Sequence, residues 1–129
     1  MDINKINLND LEYKNVLNLK TQEEYSKYID ISSIFKLKNV QIFHEKLAPN
    51  KKASSAHFHT KQNELFFILL GNPTIYINGE YKELKKDDIV FFEANKKIYH
   101  YLENNSSEEV EYLIIATNLD NDIVCYENK

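Results

Sequence analysis

Two histidines, His57 and His59, stand two residues apart, and Glu64 follows five residues after the second. Glu64 opens an apolar run, Leu65 to Leu70, that closes on Gly71. Imidazole nitrogens and carboxylate oxygens are the donors that borderline divalent ions accept. In an extended chain, side chains at i and i+2 share a face. His57 and His59 therefore project together, and Phe58 points the other way. The four residues Thr60 to Asn63 suffice for a tight connection, after which Glu64 starts an antiparallel neighbour within reach of both rings. Phe66 and Ile68 share the face of Glu64 and give such a site apolar walls. The competing reading is a pair of exposed histidines beside an ordinary strand, with Glu64 solvated at its end. A bare His-x-His favours that reading; the carboxylate at a hairpin's distance favours the metal.

The chain has four histidines. His44 lies in Val40–Leu47 and reads as a structural or surface residue. His100 lies in Ile98-Tyr99-His100-Tyr101-Leu102, after a strand–turn–strand module, and is the candidate fourth ligand. Tyr99 and Tyr101 alternate away from His100 and are expected in outer-sheet packing or a dimer contact. Lys96 and Lys97 read as a solvated loop that can also draw an anion.

These residues need elements to hold them. Residues 1–39 are polar and mixed. Thr21-Gln22-Glu23-Glu24 has the form of a capping box, and a short helix through Tyr25, Tyr28 and Ile29 is expected after it. This part reads as a lead-in that packs on a barrel formed by residues 40–129. From residue 40 the pattern turns to short strands: 40–47, 54–59, 64–70, 74–77, 80–84, 89–92, 98–102, 109–117 and 123–126. Turn signals separate them, with Asn78-Gly79 predicting a type I′ hairpin. Nine short strands at this spacing predict an all-β sandwich or barrel.

A chain of 129 residues with 43% hydrophobic residues is the size of one domain with a real core. Net charge is −4, which disfavours nucleic acid and anionic membrane as partners. All 16 basic residues are lysine, so no guanidinium fork grips an anion. A single cysteine, Cys125, excludes an internal disulfide. The start, Met1-Asp2-Ile3-Asn4-Lys5, has no apolar signal core, and no apolar run has membrane-spanning length. A cytoplasmic location is expected.

His57, His59, Glu64 and Gly71 fit without a gap the first motif of the cupins, and the chain resembles that superfamily over about residues 40 to 126. His100 and Asn104 fit the second motif. Asp87-Asp88 stands where Gly-Asp is usual, Glu93 where Pro is usual and Asn95 where Gly is usual, and the loop to His100 is two residues longer. Asn and Asp tolerate left-handed backbone, so the turns survive. Pro49-Asn50, Ser54-Ser55-Ala56-His57-Phe58-His59 and Asp122-Ile123-Val124-Cys125-Tyr126 are similar to segments of small single-domain bacterial cupins of unassigned activity.

The resemblance implies a double-stranded β-helix, or jelly-roll barrel. It implies one divalent transition metal (Fe, Mn, Ni or Zn) held by His57, His59, Glu64 and His100. Phe66, Ile68, Phe91 and Leu102 are expected to line the pocket and Asn104 to support the ligands from behind. It also implies a homodimer, which the nine tyrosines and seven phenylalanines favour. Four protein ligands leave two positions on an octahedral ion, enough for an oxygen-rich small molecule. The expected activity is isomerase- or dioxygenase-like. The alternatives are a non-catalytic small-molecule or metal-binding module and a metal-free structural barrel.

Overall fold

The structure is a computed structural model, and it describes residues 3–117 and 120–128. Met1 and Asp2, the start of the expected lead-in, lie outside the described residues.

Eleven strands are described: β1 (Lys14–Leu17), β2 (Glu24–Asp30), β3 (Val40–Leu47), β4 (His57–His59), β5 (Glu64–Leu70), β6 (Thr74–Ile77), β7 (Glu80–Glu83), β8 (Ile89–Phe92), β9 (His100–Glu103), β10 (Val110–Thr117) and β11 (Val124–Tyr126). They form two antiparallel sheets, one in the order β1-β2-β3-β10-β5-β8 and the other β11-β4-β9-β6-β7. The core between them is Leu47, Phe66, Ile68, Ile75, Phe92, Leu102, Val110 and Tyr112, all buried. The architecture is the all-β jelly-roll barrel expected, and the nine strands expected from residue 40 onward are present with ends shifted by up to three residues.

The lead-in differs from expectation. No helix runs through Tyr25, Tyr28 and Ile29; residues 24–30 are β2, paired with β1 on one side and β3 on the other. Asn18 is the reason. Its Oδ1 accepts from the N–H groups of Lys20 and Thr21, and its backbone bonds to Gln22 and Glu23 close a hairpin turn. That turn uses the segment in which a helix would have to nucleate. Tyr25, Tyr28 and Ile29 then extend a sheet, where β-branched and aromatic residues pack well. The helical turns lie on either side, at Leu8–Asp10 (a 3-10 turn) and Ile31–Ile34 (α1).

Two local features hold the strands that carry the histidines. Gly71 ends β5 at φ +84°, and a Cβ there would lie 2.9 Å from the Glu109 carbonyl oxygen and the Val110 side chain. Glycine is required for both reasons. Asp87 (φ 73°) and Asn95 (φ 62°), the two residues standing at usual glycine positions, occupy left-handed backbone. Asn95 N–H also donates to the His59 carbonyl, tying the loop before β9 to β4.

Candidate metal centre

Strand pairing brings the histidines together. β4 supplies His57 and His59, and its partner β9 places His100 directly opposite His57. Glu64 begins β5 on the facing sheet, with its side chain inward. Ligand atoms of His57, His59 and Glu64 lie within 4.8 Å of one another. Glu64 Oε1 is 2.9 Å from His100 Nε2 and 3.3 Å from His59 Nε2. The His57 ring is 5.2 Å from that of His59 and 4.9 Å from that of His100, centre to centre. Glu64 and His100 are buried; His57 and His59 are half-buried.

Each ring is oriented from behind. Nδ1 of His57 donates to the Ser55 carbonyl at 2.7 Å and Nδ1 of His100 to the Ile98 carbonyl at 2.8 Å. His59 Nδ1 is 2.7 Å from Asp122 Oδ2, whose other oxygen accepts from the Lys61 and Gln62 N–H groups. With Nδ1 committed as a donor, Nε2 of each ring presents its lone pair to the centre. Those lone pairs converge on a carboxylate oxygen, and without a shared proton or a cation they repel. A divalent ion can replace the shared protons, so the donor set fits one.

In the metal-free chain, a proton on His59 takes the place of that ion. Burial holds the His57 pKa below its usual value, keeping the ring neutral. Burial also opposes the charge on His59, but the hydrogen bonds and negative charges of Glu64 and Asp122 override it and push the ring up to about 9. Burial would raise the Glu64 carboxyl; hydrogen bonds from His100 and His59 hold it at about 2 instead. Glu64 is thus an anion at every physiological pH.

Asp122 had no assigned role in the sequence reading, although it begins the closing segment singled out there. It stands 63 residues from His59, so only the pairing of β11 with β4 puts the two in contact. Replacing it by Asn leaves an amide that can present its nitrogen to Nδ1 and disturb the tautomer. Asp122→Asn is expected to weaken Mn(II) or Zn(II) affinity on the order of 10- to 100-fold with little change in thermal unfolding. Calorimetric titration checks it; an unchanged affinity would make Asp122 a loop anchor alone.

The walls correct several expectations. Phe66 (5% exposed) and Leu102 line the cavity at the cluster. Phe91 does not: it is 58% exposed. Its neighbour Phe92 points inward and stacks on the His100 ring at 3.7 Å and 4°. The pairing explains the parity, since Glu64 opposes Phe92 and Leu65 opposes Phe91 across β5 and β8. Ile68 shares the face of Glu64 but sits in the core cluster instead of on the cavity wall. Asn104 touches no ligand; its Nδ2 donates to the carbonyls of Leu47 and Glu108, and its Oδ1 accepts from Ser106. Tyr101 is buried and stacks on Tyr76. Tyr99 packs edge-on against Phe58. Lys96 pairs with Glu93 on the surface. His44 is buried between the Tyr13 hydroxyl and Glu111, on the opposite face of β3 from the cavity.

The cluster opens into a cavity of about 320 Å³ that Glu45 also lines. Glu45 is buried, and its Oε1 accepts from Ser26 Oγ and Tyr112 OH, each at 2.7 Å. Sequence reading gave Glu45 no role, because a lone Glu in a strand is ordinary. Burial pushes its carboxyl up from 4.5 to about 7, against the hydrogen bonds from Ser26 and Tyr112 and with help from the charge of Glu64. Between those values the folded chain keeps a proton that the unfolded chain has released. Its stability therefore falls as pH rises from about 4.5 through 7. Chelator-treated wild type is expected to lose up to about 3 kcal/mol relative to Glu45→Gln between pH 5 and pH 8. Urea unfolding at the two pH values measures this, and parallel behaviour of the two proteins would show a carboxylate ionised throughout.

A family model described as "Cupin domain" matches residues 43–116. No curated protein matches the sequence. Among solved structures, a sugar phosphate isomerase of the cupin superfamily from Silicibacter pomeroyi superposes with a TM-score of 0.89 at 17% identity, over 98% of this chain and 83% of that one. The polyketide cyclase RemF from Streptomyces resistomycificus gives 0.79 at 13% identity, over 99% and 87%. The Cupin_2 domain of an XRE family transcriptional regulator from Enterobacter cloacae gives 0.60 at 22% identity, over 71% and 95%. At these identities the likeness is one of fold.

Proposed function

The chain belongs to the cupin domain family, and on that premise we propose that it binds one divalent transition metal through His57, His59, Glu64 and His100 and uses it to hold a small oxygen-rich molecule. The observation that carries this reading is the convergence of the donors at the wall of a cavity of about 320 Å³. Three imidazoles and a carboxylate suit Fe, Mn or Ni in octahedral geometry, with two positions left for ligand oxygens. The ion would supply Lewis-acid polarisation of a ligand oxygen. The chain's own residues do the rest. Ser55, Ile98 and Asp122 fix the rings, Phe92 and Phe66 keep water from the buried side, and the N–H groups of Lys61 and Gln62 hold Asp122. One fold neighbour is named a sugar phosphate isomerase, which makes isomerase-like chemistry the first to try at such a site.

Elemental analysis of tag-free protein beside a His57→Ala/His59→Ala variant tests the reading. Near one equivalent of Fe, Mn, Ni or Zn is expected in the wild type and almost none in the variant, with unchanged circular dichroism. A wild type that takes up no metal after soaking with Fe(II), Mn(II) and Zn(II) would overturn it.

We also propose a homodimer. Ile89 and Phe91 are 56% and 58% exposed on the outer face of β8, an edge strand, and an apolar edge of this kind favours pairing. A monomer on a calibrated sizing column at high micromolar concentration would exclude it. Among the described residues no helix is long and apolar enough to cross a membrane.

A further inference from the structure

Among the described residues, Glu45 is the carboxyl group of the cavity that the metal reading leaves without a task. It stands on the inner face of β3, opposite Tyr112 of β10. Ser26 reaches it from β2, in the part of the chain that precedes the family match. Both hydroxyls donate to the same oxygen, Oε1. Among the described residues no group donates to Oε2, yet no buried side-chain oxygen there lacks a partner. Oε2 therefore opens onto the cavity that His57, His59 and Glu64 also line. With Oε1 held as an acceptor twice over, a proton carried by Glu45 sits on Oε2. A side chain that only filled space would do so better as Leu or Gln, because an ionisable group with one oxygen unserved costs stability.

We infer that Glu45 is a proton-transfer residue of this cavity, acting on a hydroxy-aldehyde or hydroxy-ketone whose two oxygens are held at the His57–His59–Glu64–His100 cluster. The inference rests on the reading of that cluster as a metal centre. In the step, Oε2 of the Glu45 carboxylate takes the proton from the hydroxyl-bearing carbon next to the carbonyl. The C–H electron pair becomes a carbon–carbon double bond, and the carbonyl π pair moves onto its oxygen. Glu45, now a neutral acid, returns the proton to the former carbonyl carbon. The hydroxyl proton passes from the first oxygen to the second. Aldose and ketose interconvert with no oxidant or reductant. A carboxyl titrating at about 7 suits both halves, since it gives and takes a proton with similar ease. A second groove, of about 970 Å³, shares His57 and Tyr101 with the cavity. There the Tyr76–Tyr101 stack and Lys52, 5.1 Å over Tyr101, suit the apolar face of a sugar and an anionic substituent.

The test uses full-length protein loaded with Mn(II) in heavy water, with aldose phosphates of three to six carbons as probes. Mass spectrometry reads solvent deuterium incorporated next to the carbonyl. The wild type is expected to exchange at least one probe. Glu45→Gln is expected to slow kcat on the order of 100-fold or more with KM and Mn(II) content within about threefold, and Glu45→Asp to retain an intermediate rate. Independently of activity, infrared spectra of the metal-free wild type at pH 6 are expected to carry a protonated-carboxyl band that Glu45→Gln lacks. Undiminished exchange in Glu45→Gln overturns the inference and leaves the metal centre standing. So does the absence of exchange by a wild type that holds Mn(II), or the absence of the infrared band. A wild type that takes up no Mn(II) fails the metal reading, and the inference with it.

Discussion

Glu64→Gln is expected to weaken Mn(II) and Zn(II) binding by at least on the order of 100-fold. Among the described residues Glu64 is the one anion whose oxygen meets the inward nitrogens, at 2.9 Å from His100 and 3.3 Å from His59. Losing a residue that merely orients a ligand costs 10- to 100-fold in metal affinity, so losing the charged ligand should cost no less. The amide keeps the shape of the side chain and an oxygen for one histidine, so the fold is expected to persist. Calorimetric titration measures the affinity, and thermal unfolding of chelator-treated protein separates a lost ligand from a lost fold. Binding at wild-type strength would remove Glu64 from the proposed metal site.

Asn104→Leu is expected to be the most destabilising single change among the residues singled out by the sequence, and to leave the metal site alone. Asn104 has no exposed surface. Its amide donates to the carbonyl oxygens of Leu47 (2.9 Å) and Glu108 (2.7 Å). Its oxygen accepts from Ser106 N–H at 3.0 Å and Ser106 Oγ at 2.6 Å. Leucine has similar volume and none of these bonds. Each buried group left unpaired costs about 1–3 kcal/mol, and Ser106 can turn to water, so the sum is roughly 3–5 kcal/mol. In a domain of this size that lowers Tm by roughly 10–20 °C. Metal bound per folded chain should not change. A variant that stays stable and loses metal would give Asn104 back the supporting role expected for it.

The contrast between Phe91 and Phe92 shows where sequence reading stops. Ile89-Val90-Phe91-Phe92 is apolar throughout, so its inward parity cannot be read from hydrophobicity. The pairing of Phe92 with Glu64 decides it. The helix expected after Thr21 fails for a related reason. A capping box is a local preference of about a kilocalorie per mole, and the hairpin at Asn18 together with pairing to β3 outweighs it. Asp122 and Ser26 were silent because a carboxylate or hydroxyl gains a role only from what it meets, across 63 residues in one case and 19 in the other.

The sequence by itself determined the strand periodicity, the turn at Asn78-Gly79, the tolerance of Asp87 and Asn95 for left-handed backbone, and the shared face of His57 and His59. All of these depend on neighbours a few residues apart, where chain geometry is fixed by bond rotation alone. Tertiary structure decided which sheet each strand joined and where the distant partners fell. It set His100 beside His57, Asp122 behind His59, Phe92 against His100, and Glu45 between Ser26 and Tyr112. Those contacts form only when two sheets close over a common core, because hydrogen bonds between strands fix register and the buried face fixes which side chains look inward.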